Sequence, residues 1–470
     1  MLFNTPSYVL FLCIIVVGFY LLNHHAKLRG VRNAYLLIAS YFFYACLQWQ
    51  FCLLLLAITA INYACGWAIS RYREKGLTWV SIGIVSSLAF LCYYKYTNFF
   101  IGSVNSVSEW MGYSLSLNKL KIILPVGISF FTFQALTYTI DVYRKKVEAN
   151  KNFIEVALFV SFFPTVLSGP IERYRNLFPQ LRATTPFNAE NIEWGIKKFI
   201  WGLFKKMVIA DRLAMYVDGA YWNIDGNSGT TLAIAAVLYS FQIYCDFSGY
   251  ADMAIGSARI LGFKIMENFN LPYFALSFKE FWKRWHISLT SWFTEYVYIS
   301  LGGNRVAIAR WILNISSVFL LSGLWHGANW SFIFWGAMHA ILYLIEYFLT
   351  GRQKLKEEEL RQQPWIYRLF ARVVVFVGVT FAWVFFRIEN IGDAWKVVTK
   401  ICTDFDSHIN MGISAFSTIL AFFLLIVFIV IETIQYKKIA IKGNVIYYAL
   451  LVVAISLFGV TSNQFVYFQF

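Results

Sequence analysis

The sequence is poor in charge. Only 14% of its 470 residues are charged and 59% are hydrophobic, whereas about 25% of residues are charged in soluble domains. A water-soluble core cannot absorb so much apolar surface. The apolar residues form runs of about 15 to 25, the length that carries a helix through a hydrocarbon layer roughly 30 Å thick. We therefore expect an all-α, polytopic protein in a lipid bilayer.

The sequence also lacks paired cysteines and the features expected of a removable signal peptide. The seven cysteines are scattered, mostly inside apolar runs, with no Cys-x-x-Cys pair and no zinc-like spacing. We predict no disulfide, no metal site and no bound cofactor. The first apolar run, residues 8–22, has no basic residue before it and no small-residue cleavage site after it, so we expect it to be retained as a helix.

Positive charge is in excess, with 40 Lys and Arg against 25 Asp and Glu, a net charge of +15. In a soluble chain this excess would suggest nucleic acid. Here the basic residues lie in short segments between apolar runs, as the positive-inside rule requires of cytoplasmic loops. We predict that the charge reports topology and that nucleic acid is not a partner.

The apolar runs predict eleven to thirteen membrane helices in a single domain, residues 1–470, with the N-terminus outside. Residues 217–230 lack Lys and Arg and should be external, whereas residues 350–366 and the loop with Lys437, Lys438 and Lys442 should be cytoplasmic. Residues 153–206 mix apolar and basic sequence and predict a re-entrant or surface-lying element. Spans are predicted at about 8–22, 34–49, 51–69, 78–98, 122–140, 231–247, 306–325, 328–349, 367–387, 412–434 and 445–460.

Of the six histidines, His326 is the strongest functional candidate. It lies in GLWHGANW, with uncharged sequence on both sides. An ionisable residue at membrane depth is either functional or a neutral partner in helix packing. Because glycine has no side chain, Gly323 and Gly327 predict that the backbone leaves room for a substrate beside the ring. Asn329 or Ser322 could fix the tautomer of His326 by a hydrogen bond.

His286 lies in FKEFWKRWHISLTSWFTEYVYISLGG, where apolar residues recur at helical spacing opposite Lys283, Arg284 and Glu295. This pattern predicts a helix in the membrane interface with its indoles at headgroup level. Interfacial anchoring and a functional role for His286 are equally compatible with it. The apolar stripe consists of Phe281, Trp282, Trp285, Leu289, Trp292, Phe293 and Tyr296.

The remaining polar residues of apolar segments give weaker signals. Asp246 and Asp252 in CDFSGYADMAIG indicate either bonds between helices or a polar channel lining. His339 shares the apolar run of His326 but points to another helical face, which favours helix packing. The three other histidines, His24, His25 and His408, are expected at the solvated surface.

Six motifs occur in the order found in one superfamily, and together they cover the chain from about residue 125 to its end. The chain resembles the membrane-bound O-acyltransferases, and within them the alginate O-acetyltransferase branch. The motifs are GISFFTFQALTYTIDVYRK, LSGPIERY, CDFSGYADMAIG, FWKRWHISLTSWFTEYVYISLGGNR, GLWHGANW and the terminal FVYFQF.

The resemblance implies a ring of helices around a central tunnel that joins the two membrane faces. It implies that His326 is the superfamily's catalytic histidine and that His286 is its second signature residue. Five further residues match motif positions and are candidates for substrate binding or for lining the tunnel. They are Asp246, Ser248, Tyr250, Arg284 and Asn329.

The chemistry that follows is acyl transfer from a thioester. A neutral imidazole with a pKa near 6.5 can take the proton of an acceptor hydroxyl, whose oxygen attacks the acyl carbonyl. We predict His326 as this base, while His286 or Asn329 orients the substrate or stabilises the oxyanion. A covalent acyl-enzyme step stays open.

By analogy with the branch, the donor should be acetyl-CoA or another small acyl thioester from the cytoplasm. The acetyl group should pass to a secreted exopolysaccharide such as alginate, either directly or through a partner protein. The chain has no esterase-like soluble domain, so a separate periplasmic partner with an esterase fold is expected, in a bacterial inner membrane. Two alternatives are considered. One is the D-alanyl transfer protein of teichoic-acid modification, and the other is a transporter that makes no bond.

Overall fold

The computed structural model describes residues 1–24, 26–113, 115–350, 357–406, 409–410, 412, 414–439 and 444–460. Within these ranges the regular structure is helical and contains no β-strand, which confirms the all-α prediction. Several predicted features lie outside the described residues: His25, His408, Lys442, residues 351–356 of the predicted cytoplasmic loop, and the terminal FVYFQF motif.

Twenty α-helices follow one another along these ranges, with π-helical turns at Cys92–Tyr96, Phe204–Ala210 and Thr294–Tyr298. The first ten are α1 (Pro6–Asn23), α2 (Arg29–Gln48), α3 (Cys52–Arg71), α4 (Gly76–Leu91), α5 (Thr97–Trp110), α6 (Ile128–Tyr143), α7 (Phe153–Ser161), α8 (Tyr174–Arg182), α9 (Ala189–Leu203) and α10 (Asp211–Trp222). The others are α11 (Gly229–Ile260), α12 (Phe278–Arg284), α13 (Ile287–Phe293), α14 (Ile308–His326), α15 (Trp330–Leu349), α16 (Glu357–Gln362), α17 (Trp365–Arg387), α18 (Ile391–Thr403), α19 (Ala415–Tyr436) and α20 (Asn444–Phe458).

Eight helical stretches of the described chain are long and apolar enough to cross a membrane. One of them, Arg29–Arg71, contains both α2 and α3, so it accounts for two predicted spans. The predicted spans at 122–140 and 445–460 correspond to α6 and α20, which have 16 and 15 residues and are shorter than these stretches. Each of the eleven predicted spans therefore has a helix, and the polytopic architecture is confirmed.

The ambiguous region 153–206 contains none of the eight stretches. Its first helix, α7, has only nine residues and is followed by irregular backbone up to α8. That irregular backbone is buried by other parts of the protein, which is the condition under which non-helical backbone is tolerated at membrane depth. The re-entrant or surface-lying element at residues 153–206 stays a prediction.

The chain divides into two compact units: Met1–Phe199 with Tyr250–Met266, and Ile200–Gly249 with Glu267–Phe470. In the first unit, some cations that the sequence assigned to loops are buried. Arg32 is 1% exposed and donates hydrogen bonds to Asn23 Oδ1 (2.6 Å) and to the Ala183 carbonyl (2.8 Å). Arg32 therefore also supports packing between segments of this unit. The prediction of one domain for residues 1–470 stays a prediction.

In the second unit, α14 and α15 form the hairpin that carries His326, and they pack closely because glycines face backbone at the crossing. Gly323 lies against the carbonyl of Phe332, and Gly336 against the carbonyl of Phe319, so a larger side chain at either position would overlap the neighbouring helix. The sequence predicted both helices, but their separation depends on these two glycines.

The predicted interfacial helix is broken at His286 into α12 and α13. Its apolar stripe lies in the core of the second unit: Trp285 is fully buried, with its ring centroid 5.5 Å from that of Phe281 and 4.9 Å from that of Trp383. The expectation that the stripe presents its indoles to the membrane interface is wrong, because Trp282, Trp285 and Trp292 are at most 7% exposed. Helical periodicity marks a face that is buried, and it does not distinguish lipid from protein as the partner.

Candidate active site

His326 is the last residue of α14, and only 3% of its surface is exposed. The helix ends there because the backbone of Gly327 is extended. The ring centroids of Trp335 and Phe386 lie 5.1 and 5.3 Å from that of His326, both in edge-to-face arrangements. The imidazole is thus surrounded by aromatic rings that shield it from water.

His286 joins α12 to α13 in a left-handed backbone conformation with φ of 44°. This conformation is costly for a non-glycine residue, so the surrounding structure must hold it. The Ile287 N–H donates to the Asn268 carbonyl at 2.9 Å, and the Asn270 N–H donates to the Arg284 carbonyl at 3.0 Å. These two backbone bonds fix the turn that presents the imidazole.

The side chain of Asn268 fixes the tautomer of His286. Asn268 Oδ1 lies 3.2 Å from the backbone N of Ser288, 2.9 Å from its hydroxyl, and 3.0 Å from Nδ1 of His286. Because a backbone N–H can only donate, the Asn268 atom at this position must be the amide oxygen. Nδ1 of His286 then carries the proton, and Nε2 of the neutral ring is a hydrogen-bond acceptor.

The two histidines meet in one buried site, with ring centroids 6.1 Å apart. Phe247 and Trp325 flank His286 at 4.6 and 5.8 Å. His286 lies outside the eight stretches that are long and apolar enough to cross a membrane, and burial lowers its pKa to about 3. His286 is therefore neutral at physiological pH, because its pKa lies far below 7.

The two glycines beside His326, Gly323 and Gly327, do not leave open space around its ring. Gly323 faces the Phe332 carbonyl and Gly327 faces the Phe332 ring. The expectation of an open backbone at these two positions is wrong, because Phe332 fills the space that the absent side chains leave. Helix packing explains both glycines.

Asp246 belongs to a buried cluster of ion pairs. Nζ of Lys206 lies 2.6 Å from Asp246 and 2.7 Å from Asp211, and all three side chains are at most 3% exposed. Burial disfavours the ammonium, but attraction by Asp246 and Asp211 outweighs it and raises the pKa of Lys206. Ser248 accepts a hydrogen bond from Nζ of Lys205 at 2.8 Å. Of the two roles predicted for Asp246, its ion pair with Lys206 favours a bond between helices over a channel lining.

Arg284 and Asn329 support the backbone that carries the histidines. Arg284 donates from Nε to Glu280 (2.9 Å) and from Nη1 to the Asn270 carbonyl (2.9 Å). The Oδ1 of Asn329 accepts from the Ser331 N–H at 3.1 Å, which caps the first turn of α15. Each side chain thus has a structural partner beside the histidine-bearing segment.

Three other residues that the sequence singled out, Tyr250, Asp252 and His339, have packing or ion-pair contacts of their own. Tyr250 and Asp252 belong to the first unit, where Tyr250 packs 4.5 Å from Phe3, centroid to centroid, and Asp252 pairs with Lys198 at 3.0 Å. His339, in the second unit, is fully buried between aromatic rings, as a packing role requires. Its nearest ring centroids, at 4.8 and 4.9 Å, are those of Trp282 and Trp335.

The sequence did not reveal Asn268 or Lys206. Asn268 lies in a short irregular segment 18 positions before His286, and no periodicity marks it. Lys206 lies at the end of the mixed apolar and basic region 153–206, whose composition does not distinguish a buried lysine from an exposed one. The one available signal was Asp246, because a carboxylate at such depth needs a cationic partner. In the described part of the chain, no group of three or more His, Cys, Asp or Glu could hold a metal ion, and all seven cysteines are free.

Comparison with known proteins identifies the family of this chain. The family model for "MBOAT, membrane-bound O-acyltransferase family" matches residues 36–386, a range that contains both histidines and ends at Phe386 beside His326. The chain belongs to the membrane-bound O-acyltransferase family. It is therefore a multi-pass membrane protein and an O-acyltransferase, and the transporter alternative is set aside.

Among its relatives in this family, a protein named "Probable alginate O-acetylase AlgI" from Azotobacter vinelandii is 39% identical over 84% of this chain and 77% of its own length. A "Peptidoglycan O-acetyltransferase" from Helicobacter pylori is 35% identical over 85% of this chain and 79% of its own length. A "Teichoic acid D-alanyltransferase" from Bacillus subtilis is 30% identical over 57% of this chain and 69% of its own length. The D-alanyl alternative is therefore the more distant one.

Proposed function

We propose that this chain transfers an acetyl group from cytoplasmic acetyl-CoA toward a polysaccharide outside a bacterial inner membrane. The observation that carries the proposal is the buried pair of His326 and His286, with the tautomer of His286 fixed by Asn268. The names of two relatives support acetyl as the group and a polysaccharide as the acceptor: one is called an alginate O-acetylase and the other a peptidoglycan O-acetyltransferase.

His326 acts as the general base in this proposal. Its imidazole takes the proton of the acceptor hydroxyl while the hydroxyl oxygen attacks the thioester carbonyl. The tetrahedral intermediate collapses as the C–S bond breaks, and the imidazolium returns the proton to the departing thiolate. An ester and a free thiol are formed, so atoms and charge balance without a metal or a redox partner.

His286 orients the acceptor. Its Nδ1 is occupied by Asn268, so the neutral ring presents Nε2, which accepts hydrogen bonds and cannot donate them. Of the two roles that the sequence left open, orientation of a hydroxyl fits this tautomer, whereas donation to an oxyanion does not. Arg284 and Asn329 act as positioning residues through the backbone segments that they stabilise.

The aromatic rings around His326 contribute by excluding water. Water that reached the thioester would hydrolyse it, so a transferase must keep the base dry until the acceptor is bound. Trp335 and Phe386 provide apolar surface on the imidazole. Asp246, Ser248 and Tyr250 have no assigned chemical step in the proposal. Residues 1–470 are proposed to act as one domain, with a separate periplasmic esterase-fold partner that receives the acetyl group or passes it to the polymer.

The test measures thioester consumption by the purified protein and by a His326→Gln variant, with acetyl-CoA and a D-alanyl carrier protein offered separately. We expect consumption of acetyl-CoA to fall at least about 100-fold in the variant, the usual contribution of a general base. His339→Phe is the matched control, because His339 is buried among aromatic rings and Phe keeps a similar shape. Equal turnover by His326→Gln, or turnover of the carrier thioester alone, would contradict the proposal.

A further inference from the structure

A cavity of about 820 Å³ lies wholly within the first unit and shares no residue with the histidine site. It is lined by the loop that follows α6, by the start of α7, by α8 and by Tyr63 of α3. Small-molecule sites have volumes of roughly 300–1,000 Å³, so the cavity is large enough for the polar part of an amphiphile. It is a candidate binding site that the mechanism above does not use.

The lining of the cavity is cationic. Four side chains contribute positive charge: Lys146, Lys151, Arg175 and Arg182. Glu148 in the lining and the two carboxylates that pair with the arginines offset three of these charges. The single positive charge that remains favours a ligand with one negative charge, such as a phosphodiester.

Both arginines are held by buried carboxylates. Arg175 Nη1 lies 3.1 Å from Asp141, and Arg182 Nη2 lies 3.0 Å from Glu155. The arginine side chains are 34% and 50% exposed, so each remains accessible while it is paired. Nε of Arg182 also donates to Glu155, at 3.1 Å, which fixes the plane of the guanidinium. Guanidinium groups that are oriented before a ligand arrives suit the multiple hydrogen bonding of a phosphate group.

Tyr63 links the cavity to a helix that is suited to cross the membrane. Its helix, α3, belongs to a stretch that is long and apolar enough to cross and ends at Arg71, about 12 Å along the axis from Tyr63. The Tyr63 hydroxyl donates to the Lys151 carbonyl at 2.8 Å, which holds the loop against this helix. Four residues after Tyr63, Trp67 is 48% exposed, as expected of an aromatic side chain at the border of headgroups and hydrocarbon. The cations of the loop therefore lie close to the level of lipid headgroups.

We propose that this cavity binds the headgroup of an anionic phospholipid, such as phosphatidylglycerol, from the cytoplasmic leaflet. The loop after α6 begins with Arg144, Lys145 and Lys146, and the positive-inside rule predicts that such a loop is cytoplasmic. Basic pockets beside membrane helices on that side bind acidic lipid headgroups in other proteins. Phe153 in the lining and the exposed Ile154 next to it offer apolar surface to the acyl chains. The inference does not depend on the proposed acyl transfer, because it uses residues of the first unit alone.

The test measures the binding of dihexanoyl phosphatidylglycerol, a water-soluble short-chain lipid, to the full chain in a neutral detergent. Lys151→Glu reverses one charge of the lining at an exposed side chain. We expect it to raise the Kd about fivefold or more, whereas Lys151→Arg keeps the charge and should keep the Kd. Lys75→Glu is the matched control, because Lys75 is an exposed lysine of the same unit outside the cavity, and it should leave the Kd unchanged.

Two outcomes with the variants would overturn the proposal. One is an unchanged Kd in Lys151→Glu. The other is an equal rise in Lys75→Glu, because it would show diffuse attraction to surface charge and no defined site.

Two further measurements use the wild-type protein, so the proposal can fail even if a variant does not fold. Dihexanoyl phosphatidylcholine has the same phosphodiester but no net charge, and we expect it to bind about fivefold more weakly or less. Equal affinity for the two lipids would overturn the assignment to an anionic headgroup. Displacement of the lipid by an equal concentration of inorganic phosphate would assign the cavity to a soluble anion and overturn the proposal as well.

Discussion

The Oδ1 of Asn268 lies 3.0 Å from Nδ1 of His286. The same oxygen accepts from the Ser288 backbone, so its identity as an oxygen is decided by a donor that cannot rotate. The proton position on His286 follows from this contact, and with it the direction in which the ring can hydrogen-bond. The tautomer of His286 is therefore determined by Asn268, a residue outside the recognised motifs.

Two variants of Asn268 test whether this residue positions the ring of His286. In Asn268→Leu the acceptor is lost and the tautomer of His286 is no longer fixed, so we expect kcat to fall roughly 10- to 100-fold, the usual cost of losing an orienting partner. Asn268→Asp keeps an acceptor and should retain more activity. Its carboxylate also raises the pKa of His286, so the acid limb of the pH profile should move to higher pH as Nε2 becomes protonated. Profiles of kcat/KM against pH measure the position of the acid limb. Equal profiles for Asn268→Asp and the wild type would contradict the predicted rise in the pKa of His286.

Acid should destabilise the protein through His286. The pKa of His286 is about 3 in the folded protein because of burial, against 6.5 for a free imidazole. The unfolded chain binds the proton first as the pH falls, so stability is complete above about pH 6.5 and is lost progressively toward pH 3. Melting temperatures between pH 7 and pH 4.5 should fall less steeply in His286→Phe than in the wild type. The exposed His24→Gln is the control and should show the wild-type slope; a wild-type slope in His286→Phe would refute the assignment.

The buried Lys206 cluster should be required for stability. Lys206→Met leaves Asp211 and Asp246 buried without their cation, which costs about 3–5 kcal/mol in comparable buried pairs. Thermal unfolding in detergent measures the loss. The triple variant Lys206→Met/Asp211→Asn/Asp246→Asn removes all three charges and should recover much of it.

The control for that experiment is the exposed pair of Lys396 and Asp225. Lys396→Met should change stability little, because surface ion pairs are screened by water. A Lys206→Met variant that unfolds at the wild-type temperature would show that the cluster contributes nothing to stability. Failure of the triple variant to recover would show that the polar contacts themselves are needed.

Cysteine labelling tests the topology. In a background that lacks the seven native cysteines, Trp222→Cys should react with a membrane-impermeant reagent added outside intact cells, and Gln362→Cys should react only after lysis. Both positions are exposed at the protein surface, and they lie in the loops predicted to be external and cytoplasmic from their Lys and Arg content. The opposite pattern would invert the topology.

The sequence predicted most of the fold because hydropathy and helix length are properties of single segments. Each predicted span corresponds to a helix, and the broken region at 153–206 follows from its mixed composition. The stripe around Trp285 was misassigned to the membrane interface for a physical reason. Periodicity identifies the apolar face of a helix, whereas the identity of the surface that covers it depends on neighbours such as Trp383, about a hundred positions away.

The functional class was also present in the sequence. An ionisable His326 within apolar sequence already marks a candidate site, and the order of motifs around it indicates acyl transfer. What only the tertiary structure decided is which polar groups meet. The tertiary structure decided three things: the approach of His326 to His286, the proton on Nδ1 of His286, and the burial of Lys206 between two carboxylates. Each of them depends on how separate segments of the chain pack together. Distances of a few ångströms determine hydrogen bonds and ion pairs, and packing sets those distances.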